Sequence, residues 1–221
     1  MLHTLNAPAS WLVILSAAGL LMVTMGIRQS LGLFVAPLDT STGLGIAAIS
    51  LAMAVGQFIW GLAQPIAGAF ADRYGPGKVL VGGLVILALG NIITPFMNDT
   101  WGLIFSLGIL SAAGSGAGSF SVLLGAVSHR IPAEGRGMAS GIINAGGSFG
   151  QFIFAPIVQK LIQAFGWINA MWTLAVMALT ALPLVRPLSS PDTKAQTSHT
   201  LNSSTLRQSL VEAFSDRSYW L

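Results

Sequence analysis

The chain has no cysteine. Disulfides and cysteine-based metal sites are thereby excluded, and the redox state of its compartment leaves no trace in the sequence. Charge is almost as scarce. Asp, Glu, Lys and Arg make up 8% of the 221 residues, against about 25% in an ordinary soluble domain. So few charges could not cover the surface of a water-soluble chain of this length. What is present instead is apolar: 53% of residues are hydrophobic, and the mean hydropathy is +0.75. The chain reads as an integral membrane protein, with the lipid bilayer as its first partner. A sequence pI of about 9.8 reflects ten basic residues against seven acidic ones. The basic residues lie mostly in short loops, so nucleic acid is not an expected partner. The opening MLHTLNAPAS lacks the basic stretch of a secretion signal, and the apolar run after it is long enough to stay in the bilayer.

A helix needs about 20 apolar residues to cross a bilayer. Six runs qualify: 11–36, closed by Pro37, then 46–70, 78–97, 101–127, 137–161 and 167–185. The expected fold is all-α, a six-helix transmembrane bundle over residues 1–186. The polar SSPDTKAQTSHTLNSST makes residues 187–215 a linker of disordered composition, and 216–221 read as the start of a seventh helix. Arg73, Lys78, Arg130, Arg136, Arg186, Lys194, Arg207 and Arg217 fall in alternate loops and after the sixth run, while the opposite loops hold Asp39, Asp99 and Lys160. By the positive-inside rule, both termini are expected in the cytoplasm.

The chain has 26 glycines, and most sit inside the apolar runs. Small residues let helices approach closely in lipid, so SAAGSGAGS and GMASGIINAGGSFG read as packing faces. GSGAG imitates a dinucleotide-binding turn, but it follows no soluble strand and its third glycine position is Ser119. No cofactor, metal or catalytic residue is expected. The loop GAFADRYGPGK is a tight connection between antiparallel spans. Gly75, Pro76 and Gly77 permit the reversal, Asp72 suits the positive end of the following helix, and Arg73 and Lys78 hold the loop in the cytoplasm.

Gly68, Asp72, Arg73, Gly75 and Lys78 resemble the G-x-x-x-D-R/K-x-G-x-x-R/K signature of the major facilitator superfamily, which lies between that family's second and third helices. HRIPAEGRG looks like the equivalent loop between helices four and five. RQSLGLF, the DRYG loop and GQFIFAPI are similar to bacterial members related to monocarboxylate and oxalate/formate porters. The resemblance implies a 3+3 inverted-repeat bundle in a bacterial inner membrane, one half of a twelve-helix secondary transporter and not an enzyme. It also implies that the Asp72–Arg73 loop gates the inner side. The chain then reads as a truncated form or a half-size protein needing a second half or another copy, as an inactive remnant or scaffold, or as a drug exporter.

Arg28 lies within TMGIRQSLGLFV, inside the first run. It stands about 26 Å along that helix at 1.5 Å per residue, in the expected outer half, where basic residues are disfavoured. A charge there costs about 2.5–3.5 kcal/mol and is treated as functional by default; snorkelling to the headgroups and pairing with a partner helix are the alternatives. No acidic residue falls in a span, and a guanidinium matches a carboxylate in a two-pronged geometry. A small anionic substrate is therefore expected at Arg28, with Gln29, Asn144 and Gln151 as neighbours. Ser140, Asn144, Ser148 and Gln151 share one helix face. Gln57 and Gln64 read as packing residues beside a bend at Pro65.

Overall fold

A computed structural model describes residues 8–128 and 130–189. The expected linker and the start of a seventh helix lie outside the described residues, except that helical structure runs on through Leu188. Five helical stretches are long and apolar enough to cross a membrane: Ser10–Thr42, Ile46–Tyr74, Pro76–Phe96, Thr100–Ser128 and Ala133–Leu188.

The first stretch joins α1 (Pro8–Ser30), a 3-10 turn at Leu31–Phe34 and α2 (Val35–Thr42). Pro37 does not close it, contrary to expectation. A proline needs no backbone donor, and in the first turn of α2 that donor would be unused anyway. The stretch ends at Gly43, which takes a left-handed φ of 68° and donates to Asp39 O. Next, α3 (Ile46–Tyr74) runs through Pro65 and four residues past its expected end. This puts Asp72 in the last turn of α3, not at the start of the next helix. Gly75 alone makes the reversal, with φ 89°. Pro76 already opens α4 (Pro76–Ile93), and Gly77 is buried against Ser189.

The fourth stretch is segmented. It comprises α5 (Thr100–Leu103), capped by the Asp99 carboxylate accepting from Gly102 N at 3.0 Å, then a π-helical segment at Ile104–Ser111, α6 (Ala112–Ala117) and α7 (Phe120–Ser128). The last, α8 (Arg136–Thr180), is interrupted by Gly166 at φ 81°, ψ 161°. Ala139 and Ile143 before that break share one apolar cluster with Ala181, Val185 and Leu188 beyond it. Phe154 and Val158 likewise share a second cluster with Met171 and Leu174. Gly166 therefore kinks the helix between two portions that join the same apolar clusters.

Close helix contacts depend on missing side chains, as expected of packing in lipid. A Cβ on Gly114 would strike Leu87 N, one on Gly83 would lie 2.6 Å from Ala117 Cβ, and one on Gly150 would strike Met22 O. Arg130 ties the α7–α8 connection to the end of the bundle by donating to Pro187 O and, at 2.8 Å, to Leu188 O.

Candidate functional site

The fourth stretch carries Gly108, Ala112 and Gly116 four residues apart, on one face. Opposite them on α3 are Ala52, Gly56 and Ala63. A Cβ on Gly108 would lie 2.9 Å from Ala52 O, and one on Gly116 would lie 2.7 Å from Ala63 Cβ. The two helices can approach because nothing projects between them. This contact fixes α3 so that Gln57 and Trp60, three residues apart on one face, meet the first stretch at Arg28.

Arg28 Nη2 donates to Gln57 Oε1. Its guanidinium carbon sits 4.1 Å from the centroid of the Trp60 ring, a cation–π contact. Both partners are neutral. The described carboxylates, Asp39, Asp72, Asp99 and Glu134, stand near the ends of helices or in the loops between them, and among the described residues none pairs with Arg28. Beside the guanidinium is a cavity of about 190 Å³. Arg28, Gln29 and Gly32 line it from the first stretch, Met53, Gly56 and Gln57 from α3, and Leu107, Ala112 and Ser115 from the fourth. Its volume falls below the roughly 300–1,000 Å³ of sites for drug-sized ligands. Among the described residues, Trp60 Nε1 is buried without a hydrogen-bond partner, as are Ser106 Oγ and Ser111 Oγ in the π-helical segment.

Arg28 and Gln29 thus share one cavity. Asn144 and Gln151 do not line it: Asn144 is exposed on α8 and Gln151 is half-buried there. Gln57 needs a correction, because it is a partner of the charge and not packing alone. The sequence held a signal for this, since Gln57 and Trp60 flank one turn of α3 with a polar and an aromatic group. What it lacked was the register between α3 and α1. Of the loop residues, Asp72, Arg73 and Lys78 are exposed, Gly68 is half-buried, and the Arg73 guanidinium lies 5.3 Å from the Tyr74 ring.

Apolar helices of membrane-crossing length around a charged cavity define a multi-pass α-helical membrane protein. The chain belongs to the Major Facilitator Superfamily, whose family model matches residues 13–221. It is 28% identical over 195 residues to monocarboxylate transporter 13 of Rattus norvegicus, covering 86% of this chain and 45% of that protein. It is 31% identical over 188 residues to monocarboxylate transporter 11 of Homo sapiens, with 82% and 39% covered. It is 27% identical over 157 residues to the oxalate:formate antiporter of Oxalobacter formigenes, with 71% and 37% covered. The chain spans less than half the length of these curated relatives. The relatives carry transporter names, and neither they nor the family description names an enzyme.

Proposed function

We propose that the chain forms a six-helix bundle of a secondary transporter that moves a small organic anion, such as a monocarboxylate, by alternating access. One observation carries the substrate class: a guanidinium beside a small cavity, held among the described residues by a neutral amide and an aromatic ring. A charge in a low-dielectric site attracts the opposite charge strongly, and a carboxylate offers two oxygens to the two-pronged guanidinium. The names of the relatives agree with this chemistry.

The six-span reading takes Gly166 as the turn between a fifth and a sixth span, giving a 3+3 arrangement with both termini in the cytoplasm of a bacterial inner membrane. Its support is length. A straight helix of 56 residues would reach about 84 Å at 1.5 Å per residue, far beyond a hydrocarbon core of about 30 Å. In this reading a second six-helix half, or another copy, supplies the opposite wall of the cleft. Asn144 and Gln151, on the exposed side of α8, would face the substrate across that cleft. The loop with Gly68, Asp72, Arg73, Gly75 and Lys78 would latch its cytoplasmic side.

The test is carboxylate binding by the purified chain, followed by thermal stabilisation. Arg28→Ala is expected to weaken binding of formate and oxalate at least tenfold, since hydrogen bonds to charged groups contribute about 1.5–3 kcal/mol. Arg28→Lys should recover only part, because the charge returns without the fork. Unchanged binding in Arg28→Ala would sink the anion reading and favour a site for uncharged, apolar solutes.

A further inference from the structure

We propose that Gln57 is an internal stand-in for the substrate carboxylate, and that Trp60 holds the Arg28 guanidinium in place while the two exchange. The proposal rests on the anion reading above and adds the means by which the charge is kept before substrate arrives.

Arg28 is half-buried within an apolar stretch, and a cation partly withdrawn from water is costly to leave without partners. Here Gln57 Oε1 meets an edge of the guanidinium and the Trp60 ring meets its face. Neither neutralises it. An amide oxygen and a carboxylate oxygen present the same kind of acceptor to an N–H donor. The carboxylate adds a negative charge and a second oxygen, so it wins the exchange. A neutral solute has no such advantage, and the contact thereby screens for anions.

The two partners differ in freedom. The Gln57 side chain is exposed and lines the cavity, so it has room to swing away. Trp60 is half-buried, and its residue packs on Gly116, where an added Cβ would lie 3.1 Å from Trp60 O and 3.7 Å from Trp60 Cδ1. The ring stays while the amide leaves. Trp60 is thus a positioning residue acting through Arg28, and Arg28 passes from one acceptor to the next without an unpartnered interval.

The experiment measures dissociation constants of formate and oxalate for the purified full chain and its variants, each checked for an unchanged melting profile. Removing the competitor in Gln57→Leu is expected to tighten binding about threefold or more, and Gln57→Met, which keeps the length but not the acceptor, should do the same. Gln57→Glu, which supplies a permanent carboxylate, should weaken binding more than tenfold. Trp60→Leu should weaken it about fivefold to tenfold, and Trp60→Phe, which restores a ring face, should return it to within about threefold. Unchanged or weaker binding in both Gln57→Leu and Gln57→Met, or undiminished binding in Gln57→Glu, overturns the stand-in. Equal binding in Trp60→Leu and the parent overturns the positioning role. Undiminished binding in Arg28→Ala is a separate result, which removes the anion reading itself.

Discussion

Gly150 has no room for a side chain, because an added Cβ would run into the Met22 carbonyl on α1. Gly61 on α3 has nothing within 4 Å of that point. The two residues look alike in the sequence, each a glycine in an apolar run, yet they differ in consequence. Gly150→Ala is expected to destabilise the bundle by about 1–3 kcal/mol, the range for overpacking a filled site. Gly61→Ala should be neutral or slightly stabilising, since alanine is favoured over glycine by up to about 1 kcal/mol inside a helix. Thermal unfolding followed by tryptophan fluorescence checks both. A Gly150→Ala melt matching the parent would contradict the close packing of α1 on α8. At this scale Arg28 was legible without any structure, because a lone charge in an apolar run is conspicuous. Its partners were not. Hydropathy shows that Gln57 is in a span, but only the docking of α3 on the fourth stretch through Gly56, Gly108 and Gly116 decides which way it faces.

Among the elements, hydropathy located the apolar stretches, because apolar length is a property of sequence alone, but the runs 137–161 and 167–185 fall within one stretch, Ala133–Leu188, so that five stand where six were expected. Their ends and irregularities were less accessible. Pro37 looks like a stop, but it lies in the first turn of α2, and Pro65, read as a bend, is carried within α3. Nothing in IFSLGILS announces a π-helical segment, which arises where Gly90 packs close to Ser106 O and Ser111 N. Gly166 is the clearest element-scale test. Its φ of 81° and ψ of 161° lie in a region that is essentially glycine-only, costing about 1–3 kcal/mol for other residues. Gly166→Ala is therefore expected to lose stability within that range although its surroundings are open. A control at Gly125, equally open, inside α7 and without a positive φ, should be neutral or slightly stabilising, as at Gly61. Equal losses at the two sites would show that backbone conformation at Gly166 is not the cause.

For the whole molecule, the open question is which loops share a side of the membrane, and the missing cysteine becomes useful here. A chain without native thiols accepts single reporter cysteines with no background. Asn98, between α4 and α5, and Gln163, three residues before Gly166, are both exposed, as are Glu134 and Arg186. If Gly166 is a turn at the outer surface, Asn98→Cys and Gln163→Cys should react with a membrane-impermeant maleimide in intact cells. Glu134→Cys and Arg186→Cys should then react only after permeabilisation. Basic residues support the same assignment, since Arg130 and Arg136 flank the first of these inner positions and Arg186 is the second. Labelling of Arg186→Cys from outside, with Glu134→Cys still protected, would mean that the stretch from Ala133 to Leu188 crosses only once. The result bears directly on Arg28. With six crossings, α1 runs outward and Arg28, 18 residues beyond Ser10 in a stretch of 33, lies past its midpoint toward the outside. A substrate anion would then reach the guanidinium through the outward-facing opening. In the cycle proposed above, it would leave past the Asp72–Arg73 loop once that latch had opened.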